Sequence, residues 1–266
     1  MLPTTKFVET VERTLDSKFQ FKCHKDIECF NKCCRHADML LTPYDVLRMK
    51  KRLGLSSDEF LKKYTYVHID EISSHPFAVL KMNDDEEGKC LFVTPEGCSI
   101  YEDRPANCRY YPVGKGVMVQ DSGNGRVPAE FFFFIREPNC RGYDDKTEWT
   151  IETWRASQGV DIYDQMNKEW AEIQLRRDNP GQSKIDSEKQ SLIYMASYDL
   201  DRFKKFVFES GLLNLFIIDE EEVEKMKGDE IALMKFGFKY LKFILMLEET
   251  LQVKEEHKKK VEKPSK

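Results

Sequence analysis

FKCHKDIECFNKCC, residues 21–34, holds Cys23, Cys29, Cys33 and Cys34. Thiols this close together coordinate a metal, pair as disulfides, or supply a nucleophile. Which of these applies decides whether the first half of the chain folds around a ligand set or around a conventional core. The answer depends on where the other cysteines lie and which compartment the chain occupies.

The chain has 266 residues with 41% hydrophobic content and a net charge of −5. That is enough for one large domain, or one domain plus an extension. Mild acidity leaves no nucleic-acid footprint. The N-terminal MLPTTKFVETVERTLDSKFQ lacks the apolar core of a signal peptide. The longest apolar runs, FFFFI at 131–135 and FILML at 243–247, fall far short of the roughly 18 residues a spanning helix needs. The expectation is a cytoplasmic chain with neither nucleic-acid nor membrane partners. Thiols stay reduced there, so clustered cysteines read as ligands or catalysts before disulfides.

All eight cysteines lie between Cys23 and Cys140, spaced C-x5-C-x3-C-C, then Cys90-x7-Cys98-x9-Cys108, then Cys140, with none in 141–266. The asymmetry predicts an α+β fold. A small cysteine-rich, metal-organised N-terminal domain of short strands and helices precedes a helical C-terminal region. The expected divisions are a cysteine-cluster domain at 20–180, a helical extension at 181–250 and a disordered charged tail at 251–266. KEEHKKKVEKPSK, at the end, has six Lys against three Glu and reads as a solvated tail.

Local signals fill in the elements. Thr42-Pro43 opens a helix that Gly54 stops, with Val46, Leu47 and Leu53 as its buried stripe. Ser56 or Ser57 caps a second helix, SSDEFLKKY. YVHI, FAVLKM and CLFV read as short strands, and NDDEEGK as a solvated turn. TPEG is a tight turn, and CSIYEDRPANCRYYP a compact loop or short helix stopped by Pro112. VMVQ and AEFFFFI pair around DSGNGR. From Thr150 the patterns are helical: TIETWRASQ, IYDQMNKEWAEIQLRR, a helix around YDLDRFKKFVFES, and a last helix over about 229–248.

Cysteine thiolates suit zinc and iron–sulfur clusters. Eight could make two four-thiolate sites, or one site with four spare thiols. Adjacent Cys33 and Cys34 cannot easily face one compact ion, so one of them could serve a second site or simply pack. The absence of repeated C-x2-C knuckles favours an iron–sulfur cluster slightly over zinc. A disulfide framework conflicts with the reducing compartment. A nucleophilic thiol would need a base, which His24 or His36 could supply. Both histidines read more simply as surface residues near a turn, and His68 and His75 as packed or solvated. Arg104 and Arg109 could donate hydrogen bonds to thiolates or pair with Glu102 and Asp103. Pro105 could hold the turn that aims Cys98 and Cys108, with Tyr110 and Tyr111 as walls.

FKCHKDIECFNKCC, LTPYDVLRMKKRLG, CLFVTPEGCSIYEDRPANCRYYP and the later NCRG together resemble the YkgJ-like cysteine-cluster family, the zinc- or iron-chelating domain of CxxCxxCC type. The likeness runs over about residues 20–175, and the chain departs from it by opening with C-x5-C instead of C-x2-C. The resemblance implies metal binding through Cys23, Cys29, Cys33, Cys34, Cys90, Cys98, Cys108 and Cys140. The family is often labelled as iron–sulfur oxidoreductases, and its cysteine motif is similar to that of flagellin lysine methylases. No glycine-rich loop here supports methyl transfer. The sequence thus points to a metal-binding cysteine-cluster protein holding zinc or an iron–sulfur cluster. An iron–sulfur oxidoreductase or methylase-like enzyme is the alternative, with no catalytic residue identified. The apolar last helix, Ile231 to Leu247 with Lys235, Lys239 and Lys242 on one face, either packs on the domain or recruits a protein partner.

Overall fold

A computed structural model describes residues 8–9, 11–71, 73–121, 126–177 and 185–257. In chain order the first elements are strand β1 (Lys18–Gln20), β2 (Leu40–Leu41), helix α1 (Pro43–Leu53), α2 (Ser57–Tyr64), β3 (Thr65–Ile69) and β4 (Pro76–Leu80). The hairpin β5 (Val93–Thr94) and β6 (Gly97–Cys98) follows, then α3 (Ala106–Tyr110), β7 (Val113–Asp121), β8 (Arg126–Phe134) and β9 (Glu148–Thr150). The remainder is mostly helical: α4 (Ile151–Gln158), α5 (Asp161–Arg177), α6 (Ser187–Tyr198), α7 (Leu200–Glu209) and α8 (Leu212–Leu215). Strand β10 (Phe216–Ile217), α9 (Glu220–Gly228), α10 (Glu230–Ile244) and β11 (Gln252–Val253) complete it. The fold is α+β, as expected.

The strands form small antiparallel sheets: β2-β4-β3, and the pairs β1-β9, β5-β6, β7-β8 and β10-β11. The expected turn DSGNGR falls mostly on 122–125, outside the described residues, but the strands flanking it pair as anticipated. α1 begins with a capping box: Asp45 N–H donates to Thr42 Oγ1 at 3.2 Å, and Thr42 N–H donates to Asp45 Oδ2 at 2.8 Å. Gly54 ends it in the left-handed conformation, at φ 66°.

Three apolar clusters hold these pieces. An aromatic one gathers Phe19, Phe21, Tyr110, Phe132, Phe134 and Trp154 from β1, β8, α3 and α4. A second packs Val46, Met49, Phe60, Leu80, Phe92 and Ile100 under the β2-β4-β3 sheet, with Cys90 and Cys98 against it. The third is the helical core, built from α5 to α10. Tyr44 and Leu47 of α1 and Ala106 of α3 belong to this third core, so residues on both sides of position 180 share it.

Several expectations need correction. CLFV is not a strand: Cys90 N–H donates to Cys34 O at 2.8 Å, and the chain turns at Leu91–Phe92 to bury Phe92. The helix expected around 198–210 is the second of two, parted at Asp199, whose carboxylate caps α7. Its predecessor α6 buries every residue from Met195 to Tyr198, so it has no apolar stripe to read. α9 was equally illegible because only Met226 of it is buried. Lys242, expected on a polar face of α10, is buried and anchored to Glu172 at 3.0 Å and Glu169 at 3.5 Å. The apolar side of α10 packs into the helical core. The start of the expected tail is ordered: Leu251 is buried and β11 pairs with β10, while 258–266 lie outside the described residues.

Candidate metal centre

The eight cysteines sit on four separate pieces of backbone, and the local hydrogen bonds show how these are drawn together. β1 delivers Phe21 into the aromatic core, and the next peptide, Lys22 N–H, donates to Gly142 O at 2.9 Å. Gly142 lies against the Phe21 ring with no room for a side chain, since an added Cβ would stand 2.4 Å from the ring. This close approach brings the Cys140 segment alongside the Cys23 segment. Arg141 N–H then donates to Cys29 Sγ at 3.1 Å, tying the same segment to the second thiol.

Cys33 and Cys34 lie on a short 3-10 turn, Lys32–Cys34, entered through Asn31 in the left-handed region. The Asn31 side-chain amide donates to Thr94 O at 2.9 Å, which fastens this turn to the β5-β6 hairpin. The Cys34 carbonyl accepts from Cys90 N–H at 2.8 Å, and Cys98 ends the hairpin opposite Val93. Cys108 comes from α3. The buried Asp45 carboxylate accepts from Ala106 N–H at 2.8 Å, so the first turn of α1 positions the start of α3. Burial pushes the Asp45 carboxyl up to about 6, partly offset by the hydrogen bonds it accepts from Thr42 and Ala106.

Electrostatic neighbourhoods gather most of the thiols around two sets. Burial, then the thiols of Cys33, Cys29 and Cys140, pushes Cys23 up to about 11. Burial chiefly raises Cys140 too, with Cys29 and Cys33 adding to it. In the other group, burial raises Cys108 well above its usual value, and Cys90, Cys98, Asp45 and Cys33 add to that. Burial likewise raises Cys90, with Cys98 beside it, while the Arg104 guanidinium opposes the rise at Cys98. Cys33 stands at the junction. Its contact with the Cys34 side chain is the largest cause of its strongly raised value, followed by burial. Cys23, Cys29, Cys33 and Cys140 thus neighbour one another, as do Cys90, Cys98 and Cys108, and Cys33 is in reach of both sets. Cys34 meets Cys33 through its side chain and Cys90 through its backbone. Cys108 is solvent-exposed by area, yet protein surrounds its sulfur closely enough for desolvation to dominate.

All eight cysteines are free thiols, and the soft donor set fits zinc or iron. A second observation at the first group supports the fit. The buried Tyr111 hydroxyl makes no well-angled hydrogen bond, and it stands within interaction range of Cys140 and Cys33. A phenol in that position is a ready donor to a thiolate. Among the described residues, however, no three His, Cys, Asp or Glu side chains stand close enough to share one ion. A metal ion held by one group would need its sulfurs drawn inward. Beside Cys29 lies a cleft of about 50 Å³, lined by Glu28, Lys32, Asn139 and Arg141.

The expected supporting roles are filled differently. Among the described residues, neither Arg104 nor Arg109 forms a hydrogen bond or ion pair with an acid side chain or a sulfur. Arg104 donates to Tyr101 O at 2.6 Å and Gln158 Oε1 at 2.7 Å. Arg109 donates to Arg104 O at 3.2 Å, Gln158 O at 2.7 Å and Glu102 O. Both are buried and lock the Cys98–Cys108 connection onto α4. Asp103 pairs instead with Arg48 of α1 at 2.5 Å. His24 is half-exposed, 3.9 Å from Asp26, and His36 packs over Gly88. Sequence reasoning missed Glu137, which is raised by burial and interacts with Cys33 and Tyr111. Its place three residues before Cys140, in REPNC, was the available signal.

The family model CxxCxxCC, described as "Putative zinc- or iron-chelating domain", matches residues 22–141, which span all eight cysteines. Neither the curated proteins nor the solved structures contain a match to this chain.

Proposed function

We propose that this protein, whose residues 22–141 match the CxxCxxCC family model, binds zinc or iron through two four-thiolate groups: Cys23, Cys29, Cys33 and Cys140, and Cys34, Cys90, Cys98 and Cys108. The observation that carries this reading is the split of the thiols into two neighbourhoods that meet at the Cys33-Cys34 pair. Adjacent residues cannot both face one compact ion without strain, but they can each face a different one. In the first group, Tyr111 is the residue that would donate to a ligating sulfur, and Arg141 N–H already donates to Cys29. In the second, the buried arginines hold the backbone on which Cys98 and Cys108 sit. Metal bound there supplies either structural cross-linking or, as an iron–sulfur cluster, one-electron chemistry.

The test is elemental analysis with an absorption spectrum on anaerobically purified full-length protein. Two four-thiolate groups predict metal in at least two equivalents per chain, with Cys29→Ser and Cys108→Ser each removing about half and the double variant nearly all. A visible thiolate-to-iron absorption identifies iron, and its absence with stoichiometric zinc identifies zinc. Protein that carries neither metal, or that loses all of it on either single substitution, overturns the two-group reading.

A further inference from the structure

β3 is an edge strand of the β2-β4-β3 sheet, and no strand covers its outer side among the described residues. Its inner ladder is bracketed by Lys81 N–H to Tyr64 O at 2.8 Å and Asp70 N–H to His75 O at 2.9 Å. Antiparallel pairs alternate, so the even-numbered residues turn their peptide groups inward and Val67 and Ile69 turn theirs outward. Tyr66, Val67 and Ile69 are 48, 51 and 40% exposed, a concentration of apolar surface on five residues. Natural sheets guard such edges with lysine, proline or a bulge. TYVHI has none of these.

The flanks of the strand supply the second observation. Lys62 and Lys63 precede it and Asp70 and Glu71 follow it, with Lys62, Lys63 and Glu71 exposed. Ser73 already engages the Asp70 carboxylate at 2.7 and 2.8 Å, and Glu71 is the exposed negative end. A strand that is positive before, apolar within and negative after is complementary to itself when reversed. We propose that a second copy of this chain pairs with the outer edge of β3, antiparallel, with Val67 on the two-fold axis. In that register Thr65 faces Ile69 of the second copy and Tyr66 faces His68, and the exposed lysines that end α2 lie toward Glu71 of the second copy at both ends. The two three-stranded sheets become one six-stranded sheet. The contact is small, so the dimer is weak and concentration-dependent. It does not depend on the metal reading, because β3 carries no cysteine.

Sedimentation of the full-length, metal-loaded chain from about 1 to about 200 µM covers the range expected of so small an interface. The expected result is a rise from the 31.4 kDa chain mass toward twice that value. Val67→Lys sets two like charges opposite one another on the axis and should abolish the rise. Its side chain is half-exposed in the single chain, so the fold should hold, with unchanged metal content as the control. Lys63→Glu should weaken association roughly tenfold by bringing a second carboxylate toward Glu71 of the other copy at each end, and the swap Lys63→Glu with Glu71→Lys should restore it. A monomer across the whole range overturns the proposal. So does a dimer indifferent to Val67→Lys, or a double swap no tighter than the single change.

Discussion

Gly142 shows how much the thiol arrangement owes to one missing side chain. The Phe21 ring beside it is caged edge-on by Tyr111, Tyr143 and Trp154, so it cannot give way to a methyl group 2.4 Å from it. Gly142→Ala should cost about 1–3 kcal/mol, the usual range for overpacking. It should also lower metal content by pushing the Cys140 segment away from Cys23. Urea denaturation and elemental analysis of the same preparation check both effects, and unchanged stability would mean that the close approach is not held. At this scale the cysteines were fully legible, because thiol chemistry is local to the residue. The arginines were not. Arg104 and Arg109 bond to carbonyls of segments up to 54 residues away, a choice that only the approach of α4 makes possible.

Among the elements, α1 does the most positioning. It serves two cores at once, with Val46 and Met49 on one side and Tyr44 and Leu47 on another. Its N-terminus holds α3 through Asp45, and its C-terminal half reaches the helical region through Lys50. That buried ammonium lies 2.5 Å from Glu230 at the start of α10 and 3.2 Å from Asp201 in α7. Desolvation would raise the Glu230 carboxyl, but the hydrogen bonds and charges of Lys50 and Lys51 overcome it, and the net shift is below the usual 4.5. Asp201 is likewise net lowered: burial opposes, while Ser57 and Lys50 favour its charged form. A carboxyl with a depressed folded-state value contributes stability above its unfolded value, and that contribution fades as pH falls through the folded one. Stability should therefore drop below about pH 4.5. Lys50→Met should destabilise at pH 7 and flatten the loss between pH 5 and pH 3. Denaturation midpoints at pH 7, 5, 4 and 3 measure the slope, and parallel curves for the two proteins would sink the linkage. The boundaries of α1 and α2 were readable in advance because both carry capping boxes written in contiguous residues.

For the whole molecule, the helical core crosses the division expected near residue 180. Removing everything after residue 183 would uncover Tyr44, Leu47, Ala106 and Tyr163, which pack against the C-terminal helices. Gly237 of α10 approaches Ala196 O of α6 so closely that a Cβ would stand 2.7 Å away, a mark of tightly seated helices. A chain ending at residue 183 should therefore aggregate or melt far below the full-length protein, in solubility and thermal-unfolding assays. A soluble truncation with full-length stability and metal content would show that the N-terminal part folds alone.

By itself the sequence determined that eight thiols share one half of the chain, and where the capped helices begin and end. These properties are written in residue type and short spacing. Only the tertiary structure decided which thiols are neighbours, since Cys140 reaches Cys23 and Cys29 through Gly142 and Phe21, across more than a hundred residues of chain. It alone decided that the C-terminal helices bury their apolar surface against α1. Such choices arise from packing between distant segments, where the free energy of burial depends on every partner at once and no local pattern records it.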